Sequence, residues 1–464
     1  MQSAPMLPFR TASRTYGSGY CRRFSLRSLF VPRAAFVRPG TSAGTNLSIG
    51  DGFTKFCYFC RNPHTVSRFT ICIAMLAILA NACGRTPAAD LFDVILYSPL
   101  EAEGFEIAGS EGCDSRVIRV KTAWQGDGSA GMKDGQKRLS GKELFIARNG
   151  ETPPEGFEGQ VLYGEAERIA AMSSTHIAML DIIGEVSRVK AVSGMRFISN
   201  GYVRAHCDSI ADIGNEADAD FEALVSSKPD IVLLYGVSSA SPMESRLRSI
   251  GIPCLYIGEY LESTPLGRAE WVVALAELAG CREKGEKAFE EIKAGYDSLK
   301  AAVPDSLPKP KVMLNSPYGD TWFMASPQSA MASMIRDAGG EYIFDRMQKQ
   351  GDGGTNSMKS VPVDFESAFL MVSEADVWLN VGQYGSAEQL TRNRPELSAA
   401  ECVRERRVYS CDRRMSDGGG SDFWESGTVR PDLILHDLIR ILHPELEMPD
   451  MGHGDNLYYY RRLE

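Results

Sequence analysis

The chain has 464 residues, 44% of them hydrophobic, and a formal net charge of −10 at pH 7, which suits two or three domains of an ordinary globular protein. The charge is uneven: residues 1–89 hold eleven Lys/Arg and one acid, Asp51, so 39 basic and 59 acidic residues make up the rest. A body that acidic disfavours nucleic acid as a partner.

Phe69–Ala80, FTICIAMLAILA, is an uninterrupted apolar run with Arg68 before it and Asn81-Ala82-Cys83-Gly84 after it. It falls short of the roughly 20 residues that span a bilayer and fits a signal-peptide core of about 7 to 15. Small residues ending in cysteine are similar to a bacterial lipobox, with Ala80 and Asn81 standing where leucine and a smaller residue are usual. Residues 66–83 are therefore read as a signal peptide, with Cys83 as the lipidation site. Residues 1–65, rich in Arg, Ser and Gly and without periodicity, lie upstream of a signal that belongs at an N-terminus. A start assigned too early and an organelle transit peptide share this composition, and the early start is preferred. Cys57, Cys60 and His64 have zinc-like spacing but make three ligands only and are read as coincidence.

Six cysteines follow Cys83: Cys113, Cys207, Cys254, Cys281, Cys402 and Cys411. In an exported protein they can oxidise. Cys402 and Cys411 flank VRERRVYS, a turn and strand that permits a disulfide between them, with buried free thiols as the alternative.

After a short tether, residues 91–163 read as a β-rich extension. FDVILY, FEIA, RVIRVKTAW, ELFIA and QVLY are short runs separated by Gly, Asp and Pro, with Trp124 read as core. From 165 to 263 strand and helix alternate: RIAAM, THIAMLDIIG, VKAVSG, DFEALVSS, PDIVLLYG, MESRLRSIG and PCLYIG indicate a parallel sheet with crossover helices. Within 264–303, Trp271, Leu275 and Leu278, then Phe289, Ile292, Tyr296 and Leu299, fall at helical spacing, with Thr264 as N-cap and Pro304 beyond the end. One long helix is predicted there, a strut that rises about 1.5 Å per residue and joins two lobes without a flexible linker.

Residues 309–446 repeat the alternation through KVMLN, TWFMAS, SAMASMIRDAGG, DFESAFLMVS, ADVWLNVG, RRVYSCD and PDLILHDLIRILH, and 447–464 form a tail. DFEALVSSKPDIVLLYG and DFESAFLMVSEADVWLNVG both run acid-Phe-Glu, helix, strand, as duplicated halves would. The expected architecture is α/β, with two Rossmann-like lobes joined by a single long rigid helix and preceded by the small β-rich extension.

In order and spacing, Glu165 to Leu446 resembles the substrate-binding proteins of ABC importers for iron complexes (siderophore or haem) and cobalamin. RIAAMSSTHIAMLDIIGEVSRVKAVSG is similar to that family's opening strand, small-residue loop, helix and second strand. DIGNEADADFEALVSSKPDIVLLYG is similar to its most diagnostic segment, and IRDAGGEYIF to its second-lobe GG turn. DFWESGTVRPDLILHDLIRILHPEL, with LYYYRRL behind it, looks like the lipoprotein branch found in Bacteroidota. The resemblance implies a class III periplasmic binding protein fold in a monomeric, lipid-anchored periplasmic protein without an intrinsic cofactor. It also implies capture of a ferric chelate, haem or cobalamin and its delivery to an ABC permease and ATPase.

The same resemblance implies a ligand between the lobes, where loops follow the carboxyl ends of strands, as in open α/β sheets generally. The first-lobe wall would be Ser173, Ser174, Thr175 and His176, then Ser193 to Phe197 including Arg196, then Tyr235 and Gly236. The second would be Tyr318, Asp320, Thr321, Trp322 and Phe323, then Gln383 and Tyr384, then Arg413, Arg414 and Phe423, Trp424 and Glu425. Aromatic surface suits a flat macrocycle, and arginines suit the carboxylates or phosphates of a chelate. Phe323 and Trp378 lie in strand-like runs and read as lobe core, while Trp424 reads equally as ligand contact or packing. Direct metal contact by His176 or Tyr318 is disfavoured, because a lone His at a helix start is more often a packing residue. His206 and Cys207 lack a further ligand, and His436 and His443 read as facing solvent or the membrane partner. Family members present one glutamate per lobe to permease arginines. Glu222 stands at the first-lobe position, whereas the second lobe has Ser333 there and Asp337 one turn later.

An enzyme is the competing class. GxSxG and GxGxxG are absent from suitable contexts, and Ser173 has no recognisable base partner in the sequence, so no enzyme is expected. A sensor, or a scavenger working with an outer-membrane receptor, shares every residue above and differs in partner only.

Overall fold

A computed structural model describes residues 92–123, 142–236, 241–348, 360–382, 384–454 and 456–464. The expected signal peptide, Cys83, residues 1–65, Trp124 and Gln383 lie outside them. The extension forms a five-stranded sheet of β1 (Val94–Tyr97), β2 (Phe105–Gly109), β3 (Arg116–Val120), β4 (Lys142–Ala147) and β5 (Gln160–Tyr163), in that order. All pairs are antiparallel except β4 with β5. Side chains alternate between its faces. Phe105, Ile107, Ile118, Leu144 and Ile146 join the main core, and Phe92, Val117 and Phe145 make a small cluster on the other side.

Two buried carboxylates fasten this extension to the first lobe. Glu270 accepts the Tyr97 hydroxyl and the Leu100, Glu101 and Ala102 N–H groups, each at 2.7 Å. Glu262 accepts the Glu103 N–H at 3.0 Å and the Gly104 and Trp271 indole N–H groups at 2.9 Å. A carboxylate is tolerated in the interior when its lone pairs are filled in this way. Phe105 completes the seam, its ring 4.9 Å from that of Trp271.

The first lobe is an all-parallel sheet of β6 (Ile169–Ala171), β7 (Val189–Val192), β8 (Ala211–Asp212), β9 (Ile231–Leu234) and β10 (Cys254–Tyr256), ordered β10-β9-β6-β7-β8. Helix α1 (Ser174–Ile182) follows β6, and α2 (Phe221–Ser226) precedes β9. The central strands β6 and β9 are buried at every position, as parallel strands covered on both faces are.

The predicted 264–303 helix is three helices: α3 (Pro265–Glu270), α4 (Val272–Leu278) and α5 (Arg282–Ala301). Thr264 caps the first as expected, its hydroxyl accepting the Gly267 N–H at 2.9 Å. The break lies at Gly280, whose φ of +72° ends α4 in the left-handed conformation. The chain then folds back, and α4 packs on α5 so closely that a Cβ on Gly285 would lie 2.5 Å from that of Ala276. Helix α4 therefore packs in the first lobe against α1, α3 touches elements of both lobes, and α5, about 30 Å long, is the long linking helix. Its apolar stripe is the predicted one, with Phe289, Ile292, Tyr296 and Leu299 buried.

In the second lobe, β11 (Lys311–Leu314) lies centrally in a parallel sheet ordered β14-β11-β16, with β14 at Glu341–Tyr342 and β16 at Val377–Leu379. Strands β12 (Pro317–Tyr318), β13 (Thr321–Met324) and β15 (Val361–Asp364) form an antiparallel sheet beside it. Helices α6 (Ala330–Asp337), α7 (Phe365–Glu374) and α8 (Pro431–Leu442) complete the lobe, and β17 (Tyr409–Ser410) pairs with β18 (Arg461–Arg462) of the tail. The repeated phrases occupy matching places. Asp220 and Asp364 cap α2 and α7, and the strands that follow, β9 and β16, each pair with their lobe's opening strand. The result is the class III periplasmic binding protein architecture. A continuous set of buried side chains runs from the extension through both lobes. No described helix is long and apolar enough to cross a membrane.

Candidate ligand cleft between the lobes

Strand order locates the crevice. The first sheet reverses direction of winding between β6 and β9, so the loops starting at Met172 and Tyr235 flank its switch point, where open α/β sheets bind ligands. In the second lobe the corresponding loops start at Asn315 after β11 and Asn380 after β16. Both asparagines adopt left-handed backbone, at φ +65° and +60°. Asn315 donates to the Phe323 carbonyl at 2.8 Å and fixes the β12–β13 hairpin at the strand end. Asn380 accepts the Tyr460 hydroxyl at 2.8 Å, which ties the tail to the same edge.

The first-lobe residues divide into rim and support. Ser173 caps α1 by accepting the Thr175 N–H. Thr175 is buried and donates its hydroxyl to Glu259 at 2.6 Å. Burial raises the Glu259 carboxyl above its usual range, and its second oxygen has no partner. His176 is fully buried with neither ring nitrogen partnered, and burial pushes its pKa down to about 3. Both were expected on the wall, but the helix turns them inward, and only Ser174 of this group is partly exposed. Arg196 and Phe197 are exposed, the guanidinium lying 4.3 Å from the ring centroid. Tyr235 is half-buried, edge-on to Tyr260 at 5.9 Å.

In the second lobe the alternation of β13 inverts one expectation. Trp322 and Phe323 were both placed on the wall, with lobe core the favoured alternative for Phe323. Trp322 is instead fully buried, its indole N–H donated to the Leu314 carbonyl at 2.9 Å and its ring 5.2 Å from that of Trp378. Phe323, one residue on, points outward. Tyr384 and Phe423 are also interior, Phe423 lying edge-on to Trp424, Tyr459 and Tyr460. Tyr318, Arg413 and Trp424 are exposed. Arg414 is exposed too, but it is engaged by Asp422 at 2.6 Å and by the Tyr458 ring.

One loop joins the lobes directly. Ser416 donates its hydroxyl to the Arg196 carbonyl at 2.9 Å, and Glu425 accepts the Ser199 N–H at 2.8 Å. Gly420 presses on the Phe197 carbonyl so closely that no side chain fits between them. Arg204 pairs with Asp417 at the rim. Sequence reasoning assigned these two loops to opposite walls and missed that they touch; the GGG run at 418–420 was the available signal, since only glycine permits such backbone approach.

Glu222 is exposed in the first turn of α2. Asp337 accepts the Tyr296 hydroxyl at 2.7 Å and pairs with Lys300 at 2.9 Å, so it braces α6 on the linking helix and is not held out to a partner. Cys402 and Cys411 are buried free thiols, both pushed up to about 12 by burial, and no disulfide joins them. His436 and His443, expected at the surface, are both buried. A cavity of about 440 Å³ lies away from the cleft, at the α4–α5 turn, lined by Arg116, Arg148, Glu277 and Arg282 among others.

The sequence pattern of the periplasmic binding protein family matches residues 169–415, more than half of the chain. An uncharacterized lipoprotein of Methanocaldococcus jannaschii is 23% identical over 321 residues, covering 65% of this chain and 73% of its own. An uncharacterized protein of the same organism is 22% identical over 294 residues, covering 61% and 82%. Among solved structures, a periplasmic haem-binding protein from Pseudomonas aeruginosa is 14% identical at a TM-score of 0.48, covering 64% of this chain and 98% of that one. The periplasmic haem-binding protein HutB of Vibrio cholerae is 18% identical at a TM-score of 0.44, covering 58% and 98%. The family match begins at the first strand of the first lobe and ends in the loop that bridges to it from the second. The chain belongs to the periplasmic binding protein family, whose members bind solutes and are not enzymes.

Proposed function

We propose that this protein is the solute-binding component of an ABC importer, anchored through Cys83, that captures a ferric chelate, haem or cobalamin between its lobes. One observation carries the ligand class. Of the five exposed large aromatic side chains among the described residues, four lie on the segments that flank the candidate cleft: Phe197 (46% exposed), Tyr318 (48%) and Phe323 (41%) of the β12–β13 hairpin, and Trp424 (42%). They come from both lobes, and Met415, also exposed, is on the same loop as Trp424. Rigid aromatic faces left in water at a cleft suit a large, flat, partly apolar ligand. Arg196 and Arg413 stand by to pair with its carboxylates or phosphates. His176 offers no axial contact, being buried beneath the rim.

Delivery would use Glu222, exposed on the first lobe, against an arginine of the permease. The second lobe would dock through other groups, since Asp337 is occupied.

Titration of the purified apo protein with haemin, cyanocobalamin, and a hydroxamate and a catecholate ferric siderophore, followed by tryptophan fluorescence, tests the ligand. Saturable quenching by one of them, lost in Trp424→Ala after correction for ligand absorbance, is expected. Binding of none of the four would remove the metal-chelate reading and leave the family assignment standing.

A further inference from the structure

The tail that follows α8 brings a second chemistry-bearing cluster together, outside the residues assigned to the cleft and unused by the proposed transport. His436 on α8 is buried, and its Nε2 lies 2.9 Å from the Pro449 carbonyl. A carbonyl only accepts, so Nε2 carries the proton and Nδ1 keeps a bare lone pair; Nδ1 is buried and has no partner. His453, in the tail, mirrors this. Its Nδ1 lies 2.6 Å from the Asn456 carbonyl and is therefore the protonated nitrogen, while its Nε2 is buried and unpartnered. The two rings meet edge to face with centroids 5.2 Å apart. Asp437 adds a fully buried carboxylate, held by the Tyr458 and Tyr459 N–H groups at 2.7 Å. One ligand atom from each of His436, Asp437 and His453 lies within 4.8 Å of the others.

We propose that His436, His453 and Asp437 bind a divalent transition ion, zinc by donor chemistry, which clips the C-terminal tail to the last helix. One buried and one half-buried imidazole, each with one nitrogen committed to a backbone carbonyl and the other bare, form the arrangement in which histidines ligate metals. Two unfilled lone pairs in the interior otherwise have no compensation. Two imidazole nitrogens and a carboxylate oxygen, with water completing a tetrahedron, suit zinc among the common ions. Metal bonds of about 2.0 to 2.1 Å place ligands about 3.4 Å apart, so the site closes by about an ångström on binding. His453 supplies that movement. It is only half-buried, in a loop whose Gly452 and Gly454 are exposed, which also leaves the ion a way in.

The test uses the full chain stripped with EDTA. Cobalt(II), a spectroscopic stand-in for zinc, is titrated in while visible ligand-field absorption is followed, and melting is recorded with and without zinc. Expected are one tightly bound cobalt with the intense band of tetrahedral N/O coordination, its displacement by zinc, and a zinc-dependent rise in melting temperature. His453→Gln should lose all three while melting like the wild type without metal. His206→Gln, at an exposed histidine elsewhere, should keep them. A thiolate-to-cobalt charge-transfer band, absence of tetrahedral cobalt, or binding unchanged in His453→Gln would overturn the proposal. His436→Asn provides a second loss-of-ligand variant, read in the same way.

Discussion

Glu425 of the second lobe accepts the backbone N–H of Ser199 in the first at 2.8 Å, so a buried acid spans the mouth of the cleft. Burial lifts its pKa to about 7, with the charges of Asp422 and Asp181 adding to the rise and the Ser199 and Asn200 N–H groups opposing it. For an acid whose folded pKa is raised, the folded state holds the extra proton. Stability is fully present below the ordinary value of 4.5 and falls as pH rises through about 7. The difference in unfolding free energy between wild type and Glu425→Gln should therefore change by on the order of 3 kcal/mol across that window. Denaturant melts of both proteins, at intervals from about pH 5 to about pH 8, measure it. Parallel curves would exclude a protonated Glu425.

Trp322 and Trp424 should separate stability from binding. Trp322→Ala empties a fully buried indole site and should destabilise by about 3 to 5 kcal/mol. Trp424→Ala removes a half-exposed side chain and should change stability by less than about 1 kcal/mol while weakening ligand binding about tenfold or more. Chemical denaturation and ligand titration of the two variants give both numbers. The reverse assignment of effects would move the cleft.

Glu222→Arg should leave ligand affinity unchanged and abolish uptake in cells, because it reverses an exposed charge on the surface proposed to meet the permease. Transport at the wild-type rate would remove Glu222 from the docking surface. Asp337→Asn should instead lower the melting temperature, since it breaks contacts to Tyr296 and Lys300 within the protein.

Glu270→Ala should cost at least about 3 kcal/mol, because it strands three N–H groups in or near the interior. Tyr97→Phe, which removes one hydrogen bond to the same carboxylate, should cost about 1 kcal/mol. Equal effects of the two variants would mean that the segment detaches as a whole.

Periodicity made most of the architecture legible before any coordinates. All five runs of the extension became strands, and the parallel sheets follow the β-branched segments as read. Legibility failed where one residue overrules a pattern. The helical spacing runs through Gly280, yet a glycine with positive φ turns the chain back on itself. Trp322 and Phe323 are adjacent in a strand, and composition alone does not say which faces inward. It failed again where partners are remote: His436 looks solitary on its helix until the tail delivers His453. Depth was not legible in the segment after β6, because Thr175 and His176 lie on the inner face of α1.

The seam made by Glu262 and Glu270 has a consequence for the order of assembly. The strands β1 to β5 can pair among themselves from local contacts, but the turn at 97–104 cannot finish until carboxylates 158 to 173 residues later arrive. Closing so long a loop is slow, so the extension is a template that waits, and its turn is among the last parts of the first lobe to become native. A chain interrupted before Glu270 would leave the Leu100, Glu101 and Ala102 N–H groups without the carboxylate that accepts them.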